Sequence, residues 1–161
     1  ILVYPRTYVA GRARHMVGGM ILEGHDVRLG ESWHRGAVVL SWDNVRRGAA
    51  DIHDGQNVVF HEFAHQLDMS SGRGDDTPVL RDRSSFIAWA RALGRDFDRF
   101  RHNLHRKRDP VLDAYGATNE AEFFAVATEC FFERPHDLRR EYPQLYDELK
   151  RFYQQDPAAR E

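Results

Sequence analysis

The run "NVVFHEFAHQLDM", residues 57–69, sets two histidines, His61 and His65, four positions apart with Glu62 beside the first, in largely apolar surroundings. Val58, Val59, Phe60, Phe63, Ala64 and Leu67 recur at helical offsets, and Asp54 or Asn57 is available as a cap, so the spacing predicts a mostly buried helix. Residues four apart on a helix lie one above the other, so both imidazoles can aim a nitrogen at one point about 2 Å from each. Glu62 is rotated about 100° around the axis, where its carboxylate can take a proton from a water polarised by a metal. His-Glu-x-x-His is therefore a water-activating device. A purely structural role is awkward, because three neighbouring polar groups on an apolar helix would each need a separate partner.

The class of site depends on a third ligand. The long zincin pattern would require Gly and His where Asp68 and Ser71 stand, which excludes it. No Glu occurs between Glu62 and Glu120, so a carboxylate ligand must come from further on: Glu120, Glu122, Glu129 or Glu133. Glu122 and Glu129 fall two helical turns apart on one face, so one could bind metal while the other supports a histidine from behind. Equally, Glu122 three residues after Asn119 could complete a capping box, and spacing alone does not decide. Asp68 is a weaker candidate, better suited to supporting a histidine or ending the helix.

Around this helix the chain reads as α+β. Short apolar runs, "ILVY", "GGMILEG", "HDVRLG" and "AVVLSW", punctuated by glycines, predict three or four strands up to Trp42. "SSGRGDDTP", residues 70–78, reads as a loop. Phe86, Trp89, Leu93, Phe97, Phe100 and Leu104 then mark one face of a long structural helix that ends in the basic cluster "RHNLHRKRDP", a solvated helix end. A third helix is predicted from Thr118 or Asn119 to Pro135, with Phe124, Ala127 and Phe131 on one stripe, and a fourth within "EYPQLYDELKRFYQQDP". With 161 residues and 42% hydrophobic content the expectation is one domain over 1–161. The start at Ile1, without Met or leader features, suggests a piece of a longer protein. A formal charge of -2 argues against nucleic acid or anionic membrane as partner. A single cysteine, Cys130, and the lack of a long apolar run point to a reducing, cytoplasmic setting.

"HEFAHQLD", "DAYGATNEAEFFAVATECFFERP" and "LKRFYQQDP", with "ILVYP" and the run from Trp33 to Trp42, together resemble the Mlc titration factor A family of zinc-dependent peptidases. The catalytic domain of that family is similar to that of anthrax lethal factor. The resemblance covers nearly the whole chain and implies a zincin-like fold, one Zn2+ per chain, and ligation by His61, His65 and Glu122. It also implies that Tyr115 donates a hydrogen bond to the developing oxyanion. Lethal factor carries another carboxylate four residues after its Glu ligand, where Val126 stands here, so Glu129 is left to support a histidine. The expected function is peptide-bond hydrolysis with Glu62 as base, the peptide or protein substrate lying along an edge strand for which "GAVVLSW" is the candidate. The rival reading is a metal-containing module that sequesters a transcription regulator of the Mlc type; retention of Glu62 favours hydrolysis, since binding needs no base. A closed structural zinc site would need a fourth protein ligand, for which only Asp68 or His53 offers itself.

Overall fold

The computed structural model describes the backbone of residues 1–6, 8–17, 20–28, 30–32, 38–69, 83–105 and 111–160, and the side chains of 1–6, 38–68, 86–104 and 111–160. The 70–78 loop, Trp33 and the basic run 106–110 lie outside the described residues.

Strands come first: β1 (Leu2–Tyr4), β2 (Tyr8–Val17), β3 (Met20–Arg28), β4 (Gly30–Ser32) and β5 (Val38–Ser41). Among the described residues they number five, against the expected three or four. Two runs read as separate strands are one, because β3 continues through Gly24, which pairs with Ala13 of β2 across an irregularity in the register. Cross-strand pairing overrides the low strand propensity of glycine there. The antiparallel β2–β3 hairpin is separate from a three-stranded sheet of order β1-β5-β4. In that sheet β1 runs parallel to β5, with Val3 opposite Leu40, and β4 runs antiparallel, with Glu31 opposite Val39.

This order corrects the assignment of "GAVVLSW" as an edge. β5 is the central strand and is buried from Val38 to Ser41, the pattern of a strand covered on both faces. The edge nearer the motif helix is β4, which lies against that helix.

Among the described residues six α-helices follow: α1 (Trp42–Ala50), α2 (Val58–Met69), α3 (Arg83–His105), α4 (Glu120–Glu133), α5 (Pro135–Glu141) and α6 (Pro143–Tyr153), with 3-10 turns at Ala114–Ala117 and Pro157–Ala159. α1 was not foreseen, since its sequence is polar and buries only Asn44 and Gly48. Pro135, read as a stop, both ends α4 and opens α5, because proline suits the first position of a helix. α2 is half-buried rather than mostly buried: Ala64 is enclosed, while Phe63 and Leu67 remain exposed on another side.

α4 is the core helix. Every residue from Phe123 to Phe131 is buried, as expected of a helix apolar nearly all round. α3 contributes Trp89, Leu93, Phe97 and Phe100, and α6 contributes Leu145, Tyr146 and Leu149. Phe123 is fully enclosed, its ring centroid 5.4 Å from Phe97 and 5.6 Å from Phe100. Phe123→Ala is expected to lower unfolding stability by about 3–5 kcal/mol in urea denaturation, through lost burial and an unfilled cavity. A loss under about 1 kcal/mol would show that this packing is not the anchor described.

Candidate metal centre

α2 begins at Asn57, whose side-chain oxygen accepts from the amides of Val59 (3.1 Å) and Phe60 (3.4 Å) while its carbonyl accepts from His61 N–H (3.0 Å). The cap thus sets where the first turn starts and, one turn on, where His61 points. α4 begins at Asn119, whose side chain accepts from the Glu122 amide at 2.9 Å. Only this half of a capping box serves the helix start, for the Glu122 carboxylate turns instead to the histidines of α2.

Three ligand atoms converge. His61 Nε2 lies 3.0 Å from Glu122 Oε2 and 3.2 Å from His65 Nε2, and His65 Nε2 lies 3.3 Å from the same Glu122 oxygen. A tetrahedral ion with bonds of about 2.0–2.1 Å spaces its donors about 3.3 Å apart, so the triangle fits a zinc-type ion. Among the described residues this is the one group of three or more such side chains that could hold a metal. The side chains of His61, His65 and Glu122 keep 14%, 17% and 17% of their surface exposed, so the centre is reachable from outside.

Glu129 backs the centre. Its Oε1 meets His61 Nδ1 at 2.7 Å and its Oε2 accepts the Asn57 backbone N–H. A carboxylate on Nδ1 fixes the tautomer in which Nε2 offers its lone pair. One turn further along α4, Glu133 accepts from the Asn57 side-chain amide at 2.8 Å. Asn57 was foreseen as a possible cap, but not as the point where both carboxylates meet α2; the available signal was a pair of Glu residues one turn apart on an otherwise apolar helix.

Glu62 is buried, at 6% exposure, next to His61. Tyr115 sits on the 3-10 turn with its hydroxyl 3.4 Å from Glu122 Oε1 and its ring centroid 6.0 Å from that of His61. The turn is pinned: Asp113 accepts from the Tyr115 amide at 2.8 Å, and the Thr118 hydroxyl donates to the Tyr115 carbonyl at 2.7 Å. Gly116 lets it approach α4, since a Cβ there would stand 3.3 Å from the Val126 Cβ. Asp68 is buried, and its carboxylate is not one of the three converging groups; burial pushes the Tyr153 hydroxyl up, the Thr128 hydrogen bond opposing and the Asp68 charge adding a smaller push. His53 lies in the exposed turn before α2 and is not in the group either. Glu120 is exposed at the first turn of α4, also outside the group.

The electrostatics follow from the two carboxylates that grip His61. Burial alone would lower its pKa, but the hydrogen bonds and charges of Glu122 and Glu129 outweigh it and push His61 up to about 10. Burial would raise Glu122, and bonds to His61 and His65 overcome this and bring it down to about 2. Burial pushes Glu129 up, the His61 bond opposing.

The two carboxylates favour a proton on His61, which a metal ion bound there would have to displace, and raising the pH removes that competitor. With Zn2+ as probe ion, the apparent association constant is expected to rise by about tenfold per pH unit from about pH 6.5 to 9, measured by chelator competition corrected for chelator protonation. A flat profile would contradict the proton-metal exchange at His61.

Comparison with known proteins bears on this geometry. The family model for the glucose-regulated metallo-peptidase M90 matches residues 1–154. The Synechocystis protein slr2042 is 39% identical over 158 residues, covering 98% of this chain and 58% of that protein. Mlc titration factor A of Yersinia pestis, and likewise that of Yersinia pseudotuberculosis, is 35% identical over 167 residues, covering 99% of this chain and 59% of the relative. The chain therefore spans somewhat under two thirds of the length of these relatives. It belongs to the M90 metallopeptidase family, that of Mlc titration factor A.

Proposed function

We propose that residues 1–161 form one zincin-like catalytic domain that hydrolyses peptide bonds in a peptide or protein substrate, with one Zn2+ held by His61, His65 and Glu122. The observation that carries this reading is the convergence of three ligand atoms from α2 and α4 at tetrahedral spacing, next to a buried Glu62. When bound, zinc would supply Lewis acidity toward a carbonyl oxygen and toward water.

The side chains supply the remaining steps. Glu62 takes a proton from the attacking water and returns it to the leaving amine nitrogen, which balances the hydrolysis. Tyr115, half exposed and beside Glu122, donates its hydroxyl hydrogen to the carbonyl oxygen as negative charge builds there. Glu129 holds Nδ1 of His61 so that Nε2 keeps its aim, and buried Asp68 is assigned a supporting role behind the ligands. β4, the terminal strand of its sheet and in contact with α2, offers backbone groups to an extended substrate. Pairing of this kind reads the peptide backbone and gives little side-chain selectivity.

A second reading is supported by the name of the Yersinia relatives, Mlc titration factor A, which points to an Mlc-type transcription regulator as partner. Such a module would keep the metal and capture the regulator. No nucleic acid or membrane partner is proposed; among the described residues no helix is long and apolar enough to cross a membrane. A cytoplasmic location suits a chain whose single cysteine, Cys130, is buried.

Glu62→Gln separates the two readings. Hydrolysis of short chromogenic peptides should fall by roughly 100- to 10,000-fold with zinc content unchanged. Equal turnover in Glu62→Gln, or no turnover in the zinc-loaded wild type, would remove the peptidase and leave the binding module. Tyr115→Phe is expected to lower kcat by roughly 10- to 1,000-fold, with zinc content and melting temperature preserved. Wild-type kcat in that variant would make Tyr115 a packing residue.

A further inference from the structure

We propose that Glu133 is a positioning residue for the metal centre: by holding the Asn57 side-chain amide, it fixes the N-terminus of α2 against Glu129 and so sets the aim of His61. This rests on the reading of His61, His65 and Glu122 as ligands.

Glu133 is buried at 5% exposure, and its two carboxylate oxygens differ in use. Oε1 accepts from Asn57 Nδ2 at 2.8 Å, whereas Oε2 is buried and makes no well-formed hydrogen bond among the described residues, the Gly55 backbone N–H being the other group that favours the charged carboxylate. Burial costs this carboxylate more than its few partners return, which pushes its pKa up, and an apolar side chain of similar volume would serve the core better. What Glu133 supplies is orientation. An amide has a donor end and an acceptor end, and a carboxylate tolerates only the donor. With the Asn57 NH2 group on Glu133, its oxygen must face the α2 amides of Val59 and Phe60. The reversed amide would oppose oxygen to carboxylate and NH2 to helix N–H.

The held residue is wired to the centre by two further bonds. Asn57 N–H donates to Glu129 Oε2, whose other oxygen meets His61 Nδ1, and the Asn57 carbonyl accepts from His61 N–H. Space around Asn57 is tight as well: a Cβ on Gly48 would stand 3.2 Å from its Cα. Glu129 and Glu133, one turn apart on α4, thus grip the backbone and the side chain of one residue. Loss of Glu133 frees the Asn57 amide to turn, loosens the cap and lets His61 lose its alignment.

The test is zinc affinity, by chelator competition well below the unfolding temperature, for wild type, Glu133→Ala, Glu133→Gln, Asn57→Ser and the Asn57→Ser/Glu133→Ala double variant. Glu133→Ala should weaken zinc by about tenfold, while Glu133→Gln, whose amide oxygen still accepts from Asn57, should stay within about twofold of wild type. Asn57→Ser keeps a capping oxygen but is too short to reach Glu133, so it should weaken zinc by a similar factor, and the double variant should lose no more than Asn57→Ser alone.

Wild-type zinc affinity in Glu133→Ala, or losses that add in the double variant, would overturn the proposal. A purely structural role would lower the melting temperature and leave the affinity of the folded protein unmoved. Should Glu133→Ala not fold, Asn57→Ser decides, wild-type affinity there counting against the proposal. A wild-type protein that binds no zinc would instead sink the ligand assignment, and this inference with it, a result distinct from intact binding that ignores Glu133.

Discussion

The carboxylate of Glu129 holds α2 at two points, His61 Nδ1 and the Asn57 backbone N–H, across 68 and 72 residues of sequence. A buried carboxylate must be satisfied, and these partners come from a single neighbouring helix. α2 therefore docks on α4 in one register. In that register the His61 ring stands between two carboxylates of α4, Glu129 on one nitrogen and Glu122 on the other. Once His61 is placed, the helical repeat places His65 over the same Glu122 oxygen. The aromatic packing of α4 against α3 and α6 fixes the platform on which this grip operates.

The local parts of this arrangement were legible in the residues. The four-residue spacing of His61 and His65 specifies a shared face, the apolar stripe of α3 specifies a helix packed on one side, and Asn57 and Asn119, each one of two caps offered, are the caps in use. The long-range parts were less so. Spacing left Glu122 balanced between ligand and capping box, because nothing in a linear pattern says which way a first-turn carboxylate turns when another helix approaches. The structure shows both tendencies divided between two residues: Asn119 caps, and Glu122 faces the histidines. Strand order was hidden for the same reason. The run at Val38–Leu40 has the composition of a central strand, yet its position before the motif suggested an edge, and β1, far away in sequence, is what covers its other side. α1 escaped because its stability comes from its neighbours rather than from an apolar stripe of its own.

The site combines two kinds of support. The two converging histidines stand on a helix docked against the core, whereas Tyr115 stands on a short turn whose backbone is bonded before and after it but whose side chain is half exposed. Rigidity is thus concentrated where a metal must be held to a few tenths of an ångström. Solvent exposure is left to Tyr115, the group that would meet a substrate.

The His61–Glu122 pair closes a loop of 61 residues that contains the whole of α3. For a closure this long the entropic cost grows only logarithmically, each doubling adding about 0.6 kcal/mol. Chain length between α2 and α4 therefore weighs little on how readily the two halves of the centre meet. Length variation there gives a lineage room to reshape the surroundings of the site while its ligand geometry stays the same.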